Sequence, residues 1–266
     1  MIARIRRHAL DVYALLALGY LFLPIAIVIA FSFNNPLGRF NYTWAGFTLK
    51  NWAHPLAYPG LGSAIWVSLE IAFLSALVAT VLGTLIALAL VRYRFRGSGT
   101  TNLLIFVPMT TPEIVLGASL LTLFLNWKIP QGFGTILIAH IMFNISYVVV
   151  TVRARLVGFD RHLEEAAMDL GANELVTFVR VTLPLIAPGI LAAGLLAFAL
   201  SVDDFVITYF NAGTVTTFPL FVWGAARVAV PPQINVVGTA IFLVAVGGMF
   251  ANVIWQNRRA KRLAAA

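Results

Sequence analysis

Four carboxylates lie in stretches of sequence that are otherwise apolar: Glu70, Glu113, Asp203 and Asp204. A carboxylate inside a long apolar run is costly, and it persists where it meets water, a partner or a passing ion. No lysine or arginine accompanies them in those runs. Acids without bases point to a path for a cation or for protons. Phe205, Tyr209, Tyr147 and Trp223 supply rings able to hold ammonium groups by cation–π contact. An extended cation with ammonium groups separated by methylenes needs spaced acceptors and apolar or aromatic surface between them. Each acid has a second role open to it. Glu70 is equally suited to an outer aqueous vestibule. Asp203 and Asp204 are adjacent, about 100° apart on a helix, so one ligand is not expected to meet both. One of the pair is expected to cap a broken helix, and Asp203 is the candidate. Glu113 follows Pro108 and Pro112, at an expected kink that frees backbone carbonyls.

Other chemistries are poorly served. There is no cysteine, and His8, His54, His140 and His162 are scattered without metal-ligand spacing, so no metal site is expected. No G-x-x-x-x-G-K-[ST] loop occurs, so any nucleotide must bind a partner. Neither a nucleophile elbow nor an H-E-x-x-H motif is present, so the chain is not expected to be an enzyme.

The elements that must position these acids are membrane helices. Of 266 residues, 61% are hydrophobic and 11% charged, with a mean hydropathy of +0.92. A soluble domain carries about 25% charged residues. Apolar segments at 12–33, 64–91, 103–125, 134–152, 185–210 and 236–256 each have the ~20 residues that cross a ~30 Å hydrocarbon layer. The chain is therefore expected to be all-α and polytopic, six spans in a single transmembrane domain over 1–266. The first run is too long for a signal peptide and lacks an A-x-A site, so it reads as a retained helix. Arg4, Arg6 and Arg7, then Arg92, Arg94 and Arg96, then Arg153, Arg155, Arg161 and Arg180, and finally Arg258, Arg259, Lys261 and Arg262 all fall on one side. The other side holds only Arg39, Lys50, Lys128 and Arg227, so both termini are expected in the cytoplasm. This topology accounts for the net charge of +8 without nucleic acid. At 1.5 Å per residue, Glu113 should lie roughly 15 Å into its span and the aspartates roughly 27 Å along theirs. Ser75, Ala79, Gly83 and Ala87, and Gly189, Ala193, Ala197 and Ser201, form two ridges of small residues four apart. Such ridges let helices pack closely in lipid, within one subunit or, for the second ridge, between subunits. The external stretch 34–63 is expected to fold on the outer helix ends, and 218–227 to form a short helix or re-entrant turn.

The cytoplasmic segment 153–184 is not a simple connector. Asp160 to Leu170 reads as a helix, capped by Asp160, with acids in its first turns complementing the dipole. Gly171 ends it. A second, amphipathic helix is expected from Asn173, and Pro184 and Pro188 are expected to kink or restart the chain at the membrane. Anionic lipid favours basic helices, so this acidic one reads better as inserting into a partner's groove. Here Glu165-Ala166-Ala167, then Gly171, Val181 and Leu183-Pro184 stand at the spacing of a signature written E-A-A, three residues, G, nine residues, I, one residue, L-P. Only Val for Ile departs from it. On these residues the chain resembles the permease subunits of binding-protein-dependent ABC importers. Gly158-Phe159-Asp160, Pro112-Glu-Ile-Val-Leu-Gly117, Ser201-Val-Asp-Asp-Phe-Val-Ile207 and Val230-Pro-Pro-Gln-Ile-Asn235 further resemble the spermidine/putrescine branch, over about Asp11 to Arg259.

The resemblance implies the type I importer permease fold in a bacterial inner membrane. It implies a second homologous permease subunit, two ATPase subunits and an extracytoplasmic substrate-binding protein as partners, all within the lipid bilayer. ATP and Mg would be held by the ATPase, leaving no cofactor in this chain. Residues near 164–172 would form the coupling helix seated in the ATPase: Glu164, Glu165, Ala166, Ala167, Asp169 and Gly171. The substrate path would run by Glu113, Asp203, Asp204, Tyr209 and Glu70, with a polyamine as cargo. Another small organic cation, an amino-acid derivative or a metal complex stays open. A stand-alone secondary cation transporter would need an internal repeat with matching broken helices, which the sequence does not show.

Overall fold

The computed structural model describes residues 2–93 and 95–264, with backbone alone for 2–9, 252, 253 and 255–264. Arg94, and the side chains of Arg4, Arg6, Arg7, Arg258, Arg259, Lys261 and Arg262, used above for orientation, lie outside the described residues. The elements in order are α1 (Ile2–Ser32), α2 (Lys50–Ala53), α3 (Leu61–Arg92), α4 (Ser98–Thr110), α5 (Glu113–Asn126), α6 (Phe133–Val157), α7 (His162–Asp169) and α8 (Glu174–Thr177). A π-helical turn, Phe178–Thr182, follows, then α9 (Leu183–Asp203), α10 (Val206–Asn211), α11 (Phe218–Val228) and α12 (Pro232–Ala264). Among the described residues five helices are long and apolar enough to cross a membrane, or six where the bent pair α4–α5 counts as one span. The protein is all-α and polytopic.

Two of the expected spans are broken. The segment 103–125 is not one kinked helix. Thr111 and Pro112 are extended, with ψ of 132° each, and α4 meets α5 at 109°. Two prolines four apart explain this, since each lacks an N–H and Pro112 holds Thr111 out of the helical region. A depth for Glu113 counted along a straight helix therefore does not apply, because Glu113 opens α5. Likewise 185–210 divides at Asp204, whose ψ of 120° ends α9 before α10 begins. By contrast, Pro184 and Pro188 do not restart the chain. Asn173 accepts the Val176 N–H at 2.9 Å to cap α8, and the helical path continues through the π turn into α9. Pro184 directly follows the π turn, where the regular α-helical bonding pattern is already interrupted, so its missing N–H is accommodated without breaking the helix.

The chain packs as two compact units, one of Met1–Gly62 with Val222–Ala266, the other of Ser63–Phe221. In the first, α1 packs along α12. The stretch after α1 folds back on the end of that helix, where Asn41 donates to the Phe31 carbonyl at 2.8 Å, and asparagines bind it together. The Asn34 amide donates to Asn41 Oδ1 at 2.6 Å and to the Thr43 carbonyl at 2.7 Å. Asn51 donates to the Asn34 carbonyl at 2.8 Å. Phe33 stacks between Phe47 and Trp52 at 5.6 and 5.5 Å. Among the described residues there is no strand, only isolated bridges such as Asn34–Phe47.

In the second unit α6 is the axis of the core, with Val148, Val149, Val152 and Leu156 packed among residues of α3 and α9. Both small-residue ridges serve this packing. Ala79 and Ala87 of α3, and Ala193 and Ala197 of α9, are fully buried. A Cβ on Gly83 would meet Val148 at 2.6 Å, and one on Gly189 would meet Arg155 at 2.8 Å. The α9 ridge is thus occupied inside the subunit and is not free to face another.

Candidate functional site

The α9–α10 break builds the first half of the site. Asp204 ends α9 and turns inward, its side chain 6% exposed. One carboxylate oxygen accepts the Thr208 N–H and hydroxyl, both at 2.8 Å, and the other takes the Ile207 N–H at 3.4 Å. Asp204, not Asp203 as expected from sequence, is the residue that caps the restarted helix. It is also not without a basic neighbour. His140 of α6, itself 3% exposed, lies with Nε2 3.2 Å from Asp204 Oδ2 and 2.9 Å from Thr208 Oγ1. Its Nδ1 lies 2.6 Å from Ser201 Oγ. Ser75 of α3 donates to Ser201 at 3.0 Å, and Asn144 of α6 reaches Ser75 at 3.4 Å. A continuous polar cluster therefore joins α3, α6, α9 and α10 inside apolar surroundings, where satisfied hydrogen bonds are strong and directional. Sequence reading missed His140 as a scattered histidine. The available signal was its spacing of four from Asn144 on an apolar helix, opposite serines that end both ridges.

The remaining path candidates face outward. Asp203, Glu113 and Glu70 are exposed, as is Tyr209, whose ring lies 5.6 Å from that of Phe205. Glu113 and Tyr209 stand on helices that pack against each other: α10 crosses α5 at Gly117, where a Cβ would meet Phe210 at 2.8 Å. Tyr147 is instead part of the packing, 4.9 Å from Phe143. Trp223 carries the Arg227 guanidinium over its ring at 4.4 Å.

The second half is α7. It ends in a paired C-terminal motif: Ala172 N–H bonds to the Ala167 carbonyl at 3.1 Å, and Gly171 N–H to Met168 at 2.9 Å. Gly171 has φ of +89°, the left-handed region that favours glycine. Asp160 accepts the His162 N–H at 3.0 Å, but the N-cap position of α7 falls on Arg161, which makes no side-chain cap bond, so the expected Asp160 cap is displaced by one residue. Leu163, Ala166 and Leu170 make an exposed apolar face, flanked by the exposed acids Glu165 and Asp169, while Ala167 is half-buried. Glu165 holds His162 at 3.0 Å, and this hydrogen bond, with the charges of Asp160 and Glu165, raises the imidazole pKa above its ordinary 6.5. Glu164 behaves differently from the residues grouped with it by sequence. Its side chain, 15% exposed, turns back to the membrane helices, where Arg92 and Thr182 both donate to its carboxylate.

Residues 79–263 match the family of binding-protein-dependent transport system inner membrane components. The chain belongs to that family. The matched stretch of this permease holds α7, the π turn, Glu113 and the α9–α10 break, and leaves Glu70 outside. Over 244 residues it is 39% identical to the spermidine/putrescine transport system permease protein PotC of Escherichia coli K12, covering 91% of this chain and 92% of that one. It is 41% identical over 244 residues to the putrescine transport system permease protein PotI of the same strain, covering 89% and 86%. In fold, the permease resembles a chain of a bacterial ABC transporter that imports the acidic polysaccharide alginate, with a TM-score of 0.61 at 18% identity over 96% of each chain. It also resembles a chain of the inward-facing MetNI methionine ABC transporter, with a TM-score of 0.58 at 16% identity over 75% and 95%.

Proposed function

We propose that this chain is a permease subunit of an ATP-driven polyamine importer in the bacterial inner membrane. Its partners are a second permease, two ATPase subunits that hold ATP and Mg, and an extracytoplasmic binding protein. The observation that carries the cargo is the exposure of Glu113, Asp203 and Glu70 on an otherwise apolar membrane unit, with Tyr209 open beside the α9–α10 break. Carboxylates facing hydrocarbon would be costly, so they face a water-filled cavity, where spaced charges suit spaced ammonium groups. The relatives named for polyamine transport support the same cargo. The exposed face of α7, apolar with flanking acids, docks in the ATPase. ATP-driven closure below rocks the coupling helices and alternates access to the cavity, with both termini in the cytoplasm.

The test is uptake in proteoliposomes, normalised to assembled complex. Glu113→Gln and Asp203→Asn are each expected to weaken apparent spermidine affinity by about tenfold, the effect of about 1–2 kcal/mol in a wet cavity. Unchanged uptake by both variants would remove polyamine from the proposal and leave the importer architecture standing.

A further inference from the structure

Glu164 stands in the docking stretch by sequence, yet it does not face outward. Its carboxylate receives Arg92, the last residue of α3, and Thr182, the last residue of the π turn that leads into α9. Arg92 also lies over the Phe178 ring, 5.9 Å from its centroid, so it holds both ends of the turn. Thr182 is fully buried. α7 packs on the π turn and on α8, and Arg161, just before α7, donates to the Val91 carbonyl at 3.2 Å. Beside the cluster lies a cavity of about 190 Å³, bordered by Arg92, Glu164, Met168, Thr177 and Phe178.

We propose that Arg92, Glu164 and Thr182 form the mechanical link between the coupling helix and the transport path. This rests on the reading of α7 as the ATPase-docking element. A charged hydrogen bond is directional and moves its partners together, whereas apolar surfaces slide past each other. Displacement of α7 pulls the Glu164 carboxylate, and with it α3 through Arg92 and α9 through Thr182. The π turn is where this pull is taken up: its i→i+5 bonding holds a residue more than an α turn and is a recurrent site of local rearrangement. The cavity gives the side chains room to shift. α9 then carries the motion along its 21 residues to Asp203 and the helix break. Glu164 is thus a positioning residue, while Glu165, Asp169 and the Leu163–Ala166–Leu170 face meet the ATPase.

The test uses the assembled complex with its binding protein, reading three quantities: ATPase subunits retained per permease, stimulation of ATP hydrolysis by spermidine-loaded binding protein, and spermidine taken up per ATP. Glu164→Ala and Arg92→Ala should retain the ATPase subunits but lose stimulation and transport per ATP by about tenfold, within the usual range of coupling between sites. Glu164→Gln, which keeps an acceptor for Thr182 and removes the charge, should fall between them and the native protein. Native stimulation and stoichiometry in all three variants would overturn the link. Loss of the ATPase from all three would overturn it as well, by making Glu164 part of the docking seat. A native complex that retains no ATPase would fail the docking reading itself, which is a different result from coupled native protein with unaffected variants.

Discussion

Asp203 and Asp204 are adjacent in sequence and differ in exposure because the helix ends between them. Asp203 keeps its place on the last turn of α9 and is exposed, while Asp204 turns in to His140 and Thr208. His140→Leu would leave the carboxylate with Thr208 and Ile207 alone, and an under-satisfied buried acid costs about 1–3 kcal/mol. The thermal midpoint of the purified complex is expected to fall, and adding Asp204→Asn should recover much of the loss. The two changes should therefore be non-additive by about 0.5–3 kcal/mol, as residues of one network are. Additive losses would mean that the contact has no energetic role. His162 allows a separate measurement. Its pKa is raised by the Glu165 hydrogen bond, so the stabilisation is fully present below the ordinary value of 6.5 and fades as pH rises through the raised value. A histidine titration followed by NMR should show a midpoint above 6.5, returning toward it in Glu165→Gln.

At the scale of elements, α7 depends on how it stops. The Gly171 turn directs the chain from α7 into α8, and a Cβ there would meet nothing within 4 Å. The restriction is therefore conformational, about 1–2 kcal/mol for a residue that avoids the left-handed region. Gly171→Val is expected to insert normally but lower transport and ATPase retention, whereas Gly171→Asn, tolerant of that region, should stay near native. Equal loss in both would point to space or contact instead of backbone geometry. Gly117 presents the opposite case. Its φ is ordinary, and the restriction is the Phe210 ring at 2.8 Å from any Cβ. Close approach fixes the α5–α10 crossing, and with it the elements that carry Glu113 and Tyr209.

At the scale of the molecule, the arginines that set the expected orientation act as more than topological markers. Arg155 donates to the Leu185 carbonyl at 3.2 Å, Arg153 to Asn102 at 2.6 Å, and Arg92 to Glu164, so the side that carries the positive charge is also cross-linked. The cysteine-free sequence makes the orientation testable with single labels. Thr100→Cys should react with an impermeant maleimide only in inverted vesicles, and Leu37→Cys, 95% exposed, only in right-side-out ones. Asn51, in α2, would be a poor reporter, since it is buried and bonded to Asn34. Labelling of position 37 from the cytoplasmic side would reverse the topology.

Hydropathy, the positive charge and the Glu165–Gly171 spacing are local properties of the chain, and they were sufficient for a polytopic all-α permease with a projecting helix. Local too are the glycine at the end of α7 and the small residues that let α3 and α9 approach α6. The direction in which each polar side chain points was not local. Glu164 and Glu165 are identical in type and adjacent, and only the arrival of Arg92 from 72 residues away turns one of them inward. His140 looks isolated along the chain until α9 breaks and brings Ser201, Asp204 and Thr208 to it across 61 to 68 residues. The prolines signalled a bend near Glu113, but its angle of 109° depends on what α4 and α5 pack against. Buried polar groups must find partners somewhere, and which partners they find is set by how the helices cross.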